Sequence, residues 1–155
     1  TIVGADDYLD KDYIKNVMKF ITPASDKIFL FQSVLAGVDE NNNFLGNVNH
    51  KYKNIKEFKN LLFEKCPVNT PTVFYKRKLY EDGLINWESD KWLGAVDYNL
   101  YFKLTEDGYF IYPCPNSLGY YYRWHPGQST WGMQSEEKKY DLEIKNFWRN
   151  KWKLD

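Results

Sequence analysis

The stretch Trp92-Leu93-Gly94-Ala95-Val96-Asp97-Tyr98-Asn99-Leu100-Tyr101-Phe102-Lys103-Leu104 constrains this chain most. Asp97, Leu100, Tyr101 and Leu104 stand at i, i+3, i+4 and i+7, the spacing of one helical face. Three of the four are apolar, so the spacing predicts a buried helical face near Asp97–Thr105, with Asp97 at its leading end. A carboxylate on a buried stripe has to be capped, paired, metal-bound or chemically employed, because desolvating it alone is too costly. As an N-cap, Asp97 accepts a backbone N–H of the first turn and contributes about 1 kcal/mol. As a general base, it stands at the mouth of a helix and faces a cleft. Taken alone the stretch favours the cap; the rest of the chain reverses that.

With 155 residues, 43% of them hydrophobic, the chain is one ordinary globular domain with enough apolar mass for a core. Lys+Arg and Asp+Glu are both 21, so there is no basic footprint for nucleic acid. Aromatic residues make up 19% of the chain, which suits stacking surfaces for sugar rings and suits core filling equally. Cys66 and Cys114 match no metal-finger or CxxC spacing and read as reduced core residues of a cytoplasmic protein, a disulfide being the lesser option. No apolar run approaches the ~20 residues of a membrane span, and no signal peptide opens the chain. The chain starts directly on Thr1-Ile2-Val3, which reads as a buried strand whose preceding elements are absent, hence as a fragment, a processed product or a trimmed form.

Residues 1–5 read as that strand, ending on Asp6-Asp7. Adjacent carboxylates at a strand's C-terminal end occupy the usual ligand position of an α/β sheet and suit Mg²⁺ or Mn²⁺, although a solvated turn is the commoner meaning of such a pair. A helix follows over Asp10–Ile21, ended by Pro23. Lys27–Gly37 reads as a central strand, Phe44–Val48 as a return strand after a polar turn, and Asn54–Lys65 as an amphipathic helix stopped by Pro67. An extended segment over Thr70–Arg77 leads to a helical turn closed by Gly83, and Gly108–Pro113 and Ser117–Arg123 read as further strands. The end of the chain, from Glu136 to Lys153, is helical and charged, with Trp148 and Trp152 packed on the sheet. The fold class is therefore α/β, a mixed central sheet flanked by helices. His50 reads as a surface residue, and Lys76–Lys78 as a largely solvated basic run.

Three stretches stand in order: Gly4-Ala5-Asp6-Asp7-Tyr8-Leu9, Leu93-Gly94-Ala95-Val96-Asp97-Tyr98-Asn99-Leu100, and Tyr122-Arg123-Trp124-His125-Pro126-Gly127-Gln128-Ser129. Together they resemble the second half of a family-two inverting glycosyltransferase with the GT-A (nucleotide-diphospho-sugar transferase) fold. An acidic D-x-D-like turn, an Asp-Tyr-x-Leu stretch and an Arg-x-His-Pro-Gly-Gln-x-Ser segment follow one another in that family. The last is the most specific of the three.

The resemblance implies that residues 1–132 are the acceptor and metal-site half of such a domain, with 133–155 a helix packed on it. It implies that Asp6 and Asp7 hold a divalent cation, Mn²⁺ or Mg²⁺, on the diphosphate of a nucleotide-sugar donor. His125 would complete that metal site or contact the diphosphate, Arg123 would neutralise phosphate charge, and Asp97 would deprotonate the acceptor hydroxyl. Trp87, Trp92 and Trp124 flank the motifs and are candidates for a platform under a carbohydrate or glycan acceptor. Two departures stand out. Gly4 replaces the first Asp of the acidic turn, and Val96 replaces the Glu that often precedes the base. The upstream α/β half that binds base and ribose in the family is missing from this chain, which makes a non-catalytic carbohydrate-binding or interaction module the competing reading.

Overall fold

The computed structural model describes residues 1–87, 89–92, 95–115 and 119–154, and the side chains of these except residues 89–90 and 129–139. Among the described residues the elements follow in order: β1 (Tyr8–Leu9), α1 (Tyr13–Ile21), β2 (Leu30–Gln32), β3 (Leu35–Val38), β4 (Phe44–Val48), α2 (Ile55–Glu64), a 3₁₀ turn (Thr70–Thr72), β5 (Val73–Tyr75), α3 (Arg77–Glu81), α4 (Ser89–Trp92), α5 (Val96–Glu106), β6 (Tyr112–Pro113), β7 (Tyr120–Arg123) and α6 (Ser129–Trp152). They form an α/β structure with two mixed sheets, one ordered β1-β7-β3-β4 and the other β5-β2-β6. In the first, β7 runs antiparallel to β1 and parallel to β3; in the second, β2 runs antiparallel to β5 and parallel to β6.

The single strand expected over Lys27–Gly37 is two strands in two sheets. Ser33 and Val34 lie at the break, and the polar groups of Ser33 find tertiary partners there: its hydroxyl pairs with Tyr13 Oη at 2.8 Å, and its N–H reaches Thr72 Oγ1 at 3.3 Å. The opening segment is not a strand. Ile2 and Val3 are exposed, and it is Tyr8–Leu9 that pairs with β7. Only Tyr112–Pro113 of the strand expected over Gly108–Pro113 is paired, and within the strand expected over Ser117–Arg123, residues 117 and 118 lie outside the described residues.

Local chemistry fixes several elements. Asn54 caps α2 by accepting the Glu57 N–H at 3.0 Å, and the Glu57 carboxylate reaches back to the Lys53 N–H at 2.9 Å, a near capping box. At the other end of α2, the buried Lys145 donates to Glu64 O at 3.0 Å and to Asp141 at 2.7 Å, so a lysine of α6 satisfies a terminal carbonyl. In the β3–β4 turn, Asp39 accepts from Asn41 N, Asn43 N and Asn43 Nδ2, each at 2.8 Å. Those bonds, led by the Asn43 side chain, hold its carboxyl below the usual range.

The larger core gathers Phe58 and Leu62 of α2, Tyr98, Leu100, Tyr101, Phe102 and Leu104 of α5, and Ile144 and Trp148 of α6. Trp148 and Trp152 thus pack on helices, with Phe102 and Phe63, rather than on a sheet. A smaller core of Tyr13, Val17 and Tyr120 lies under the first sheet's β7. Cys66 and Cys114 carry thiols rather than a disulfide. Burial pushes the Cys66 thiol up and the Cys114 thiol to about 11. Among the described residues no helix is long and apolar enough to cross a membrane.

His50 is half-buried rather than a surface residue, and it pairs through Nε2 with Asn69 Oδ1 at 3.1 Å. The Asn69 amide nitrogen donates to Val48 O and Ser33 O, so its oxygen is the acceptor and His50 Nε2 the donor. Burial depresses the His50 pKa below 6.5. The unfolded chain therefore binds the proton first, and stability is lost as pH falls below about 6.5. Thermal melts at pH 7.5 and 5.5 should show a larger loss for wild type than for His50→Gln, which has no imidazole to protonate.

Candidate functional site

The β1–β7 pairing, Tyr8 against Tyr121 and Leu9 against Tyr120, carries the acidic turn onto the segment that leaves β7. Asp7 faces inward. Its Oδ1 accepts the Arg123 backbone N–H at 3.0 Å, and its Oδ2 accepts the Tyr120 hydroxyl at 2.7 Å. The Gly4 N–H donates to the same tyrosine oxygen at 3.0 Å. Tyr120 is fully buried, and burial raises its pKa, so it stays a donor to Asp7. This geometry requires glycine at position 4. A Cβ on Gly4 would lie 2.6 Å from Asp7 Oδ2, so any side chain would displace the carboxylate. Gly4→Ala should loosen both Asp7 bonds and lower stability by about 1–3 kcal/mol, the cost of leaving a buried donor unpaired. Urea unfolding measures this; an unchanged midpoint and slope would refute the account of Gly4.

Asp6 faces outward, its side chain 53% exposed, and its Oδ2 lies 3.3 Å from His125 Nε2. The Gly127 N–H donates to His125 Nδ1 at 3.2 Å, so the proton of the neutral ring sits on Nε2, toward Asp6. Gln128 braces this turn: its side chain donates to Arg123 O, and its N–H donates to His125 O at 3.1 Å. Arg123 donates through Nε to Asp6 O at 3.0 Å and through Nη1 to Glu40 O at 3.2 Å, with its guanidinium 5.6 Å from the Tyr8 ring centre. The β3–β4 turn, the acidic turn and the Arg123–Gln128 segment therefore share one junction. Ser129, the last residue of that segment in the motif, has no described side chain.

The expected cation trio is only partly gathered. Among the described residues no three His, Cys, Asp or Glu side chains gather as a metal-binding group. Asp6 and His125 face each other, and a carboxylate oxygen with an imidazole nitrogen suits Mn²⁺ in the ring's other tautomer, in which Nδ1 carries the proton and gives up the bond from the Gly127 N–H. Asp7 faces inward instead, its Oδ2 and Oδ1 accepting from the Tyr120 hydroxyl and the Arg123 N–H, so it is not gathered with that pair.

Asp97 is the second residue of α5, and the N-cap position belongs to Ala95. Its Oδ1 accepts the Tyr98 N–H at 2.8 Å, and its Oδ2 accepts the Thr70 hydroxyl at 2.5 Å. It is half-buried at the positive end of the helix dipole, a favourable place for an anion. Thr70 accepts in turn from the Tyr101 hydroxyl at 3.0 Å. The N-terminal segment connects this cluster with the acidic turn. Thr1 Oγ1 reaches Pro71 O at 3.4 Å, while the Gly4 N–H reaches Tyr120. Three residues of extended chain span at most about 11 Å, so the two clusters border the same short segment. Leu93 and Gly94 of the motif lie outside the described residues.

The three tryptophans part company. Trp87 is exposed. Trp124 is half-buried beside Tyr122, with ring centres 5.1 Å apart, and its Nε1 lies 3.4 Å from where a Gly37 Cβ would be. Trp92 is 5% exposed and packs in the larger core against Phe147, so its ring is core filling in this structure.

No protein-family model matches this chain, and no curated protein matches it in sequence. The sequence did not point to Tyr120, Thr70 or Gln128 as partners of the expected site residues. Tyr120 sits in a run of tyrosines with no mark of its own, and Thr70 meets Asp97 only through tertiary packing.

Proposed function

We propose that this chain is the acceptor-side part of an inverting glycosyltransferase of the family-two type, in a GT-A fold. It would transfer a sugar from a nucleotide-diphospho-sugar to a carbohydrate or glycan hydroxyl in the cytoplasm, with an upstream half supplying the nucleoside pocket. The observation that carries this reading is the junction of the acidic turn with the Arg123–Gln128 segment, where Asp7 holds the Arg123 N–H and Asp6 meets His125. Two sequence-remote motifs of one family pattern meet there, and Asp97 stands one short segment away.

In the transfer, the acceptor oxygen forms a bond to the anomeric carbon as the bond from that carbon to the diphosphate oxygen breaks. Asp97 takes the hydroxyl proton, and the electron pair leaves with the diphosphate. Arg123 carries donors at the rim where that charge develops, and His125 either donates there through Nε2 or, deprotonated at that nitrogen, joins Asp6 as a cation ligand. When bound, a divalent cation, Mg²⁺ or Mn²⁺, supplies positive charge to the departing diphosphate; Asp6 and His125 are the residues that would hold it. Trp124 and Trp87 remain the candidate surface for the acceptor ring.

The test is a thermal melt of the full gene product with Mn²⁺ and a nucleoside diphosphate. A ligand that binds only the folded state at 100 times its Kd adds about 2.7 kcal/mol. Wild type should shift and Asp6→Asn should not. A carbohydrate-binding module without a donor site predicts no shift with nucleotide in either protein and a shift with oligosaccharide alone.

A further inference from the structure

We propose that Thr70 is a positioning residue for Asp97, the terminal link of a hydroxyl relay that fixes the carboxylate toward the acceptor; this rests on the assignment of Asp97 as base above. The directions of the hydrogen bonds follow from counting protons. A carboxylate only accepts, so the single hydroxyl proton of Thr70 goes to Asp97 Oδ2, at 2.5 Å. Thr70 has none left for Tyr101, so Tyr101 must donate to Thr70 Oγ1, at 3.0 Å. Tyr101 is fully buried, and burial, helped by the neighbouring Tyr75 and the Asp97 charge, raises its pKa well above the ordinary value. It therefore remains a donor wherever the protein is folded. Every proton in the relay runs toward Asp97.

The relay stands on a pinned turn. Thr72, fully buried, donates or accepts among Asn69 O at 2.8 Å, Ser33 O at 3.1 Å and Ser33 N at 3.3 Å. Asn69 is tied by its N–H to Gln32 Oε1 at 2.9 Å and by its amide nitrogen to Val48 O at 2.9 Å. Thr70 thus sits one residue from an anchored Asn69 and two from an anchored Thr72, with the fixed φ of Pro71 between. Asp97 is consequently held from two elements at once, Oδ2 by this turn and Oδ1 by the start of α5. A carboxylate held at both oxygens keeps one orientation, which proton abstraction in line with attack requires. Val at position 70 keeps the shape and removes the bond; Ser keeps the bond.

The experiment compares wild type, Thr70→Val, Thr70→Ser and Asp97→Asn as full gene products. Proton NMR should show one slowly exchanging, far-downfield hydroxyl resonance in wild type and Thr70→Ser, absent in Thr70→Val and moved upfield in Asp97→Asn. In a transfer assay, kcat of Thr70→Val should fall roughly 10- to 100-fold, the worth of one hydrogen bond to a charged group, with acceptor KM little changed. Thr70→Ser should restore most of it. Absence of the resonance in wild type overturns the relay without reference to any variant. Full kcat in Thr70→Val beside an inactive Asp97→Asn overturns the role of Thr70 alone, whereas a fully active Asp97→Asn overturns the base assignment and the relay's purpose with it.

Discussion

Trp148→Ala should lower the stability of this protein by about 3–5 kcal/mol, the range for deleting a large aromatic side chain from a packed core. Trp148 is 1% exposed. Its ring lies parallel to Phe102, 8° apart in plane and 5.6 Å between centres, and it touches Trp152 and Phe147 at 5.1 and 5.4 Å. Its indole N–H donates to Asn99 Oδ1 at 2.9 Å, and Asn99 is itself buried. Truncation therefore removes the contact that docks α6 on α5 and leaves an amide oxygen without its donor. Total stabilities of single domains are only about 5–15 kcal/mol, so this one change takes a large part. Trp148→Phe keeps the stacked ring and forfeits the hydrogen bond, and should cost less, about 1–3 kcal/mol. Urea unfolding followed by circular dichroism separates the two; a Trp148→Ala loss below that of Trp148→Phe would contradict this view of the core.

Asp97→Asn should leave the fold nearly untouched and lower the transfer rate by roughly 10²–10⁴, the usual worth of a positioned general base. The structure explains why the fold survives. The Asn oxygen can accept the Tyr98 N–H in place of Asp97 Oδ1, and its amide nitrogen can donate to Thr70, whose oxygen has a second lone pair. What disappears is the capacity to take a proton. Donor binding should persist, because the junction at Asp6, Asp7, Arg123 and His125 is built from other elements. A capping role predicts silence in both readouts, since Asn and Asp cap alike. That role is already weakened by the position of Asp97, inside the first turn and after Ala95.

Elements whose determinants are local were legible in the sequence. The helix α2 carries its cap in Asn54 and Glu57 and its stop in Pro67; β4 follows a turn organised by Asp39; α3 ends before Gly83, whose φ is +73°. The helix around Asp97 was legible from its apolar spacing, within one residue at either end. Elements that depend on distant partners were not. An apolar run from Lys27 to Gly37 gives no hint that Ser33 is held by Tyr13 and Thr72, which splits it between two sheets. Ile2 and Val3 have strand composition, but composition alone does not supply a pairing partner, and β7 pairs with Tyr8 and Leu9. In the candidate site, the meeting of the acidic turn with the Arg123–Gln128 segment was an expectation of the family resemblance alone. Which carboxylate turns inward was not legible, because Tyr120 and the missing Cβ of Gly4 decide it.

In the proposed function, Asp97 deprotonates an acceptor hydroxyl during sugar transfer. The most direct measurement is steady-state transfer from nucleotide-sugar to acceptor by the full gene product, wild type beside Asp97→Asn, with a thermal melt of each. The account predicts coincident melts, near-equal donor KM, and a kcat lower by roughly 10²–10⁴ in the variant. Equal kcat in the two proteins would contradict it and return Asp97 to a purely structural place at the start of its helix.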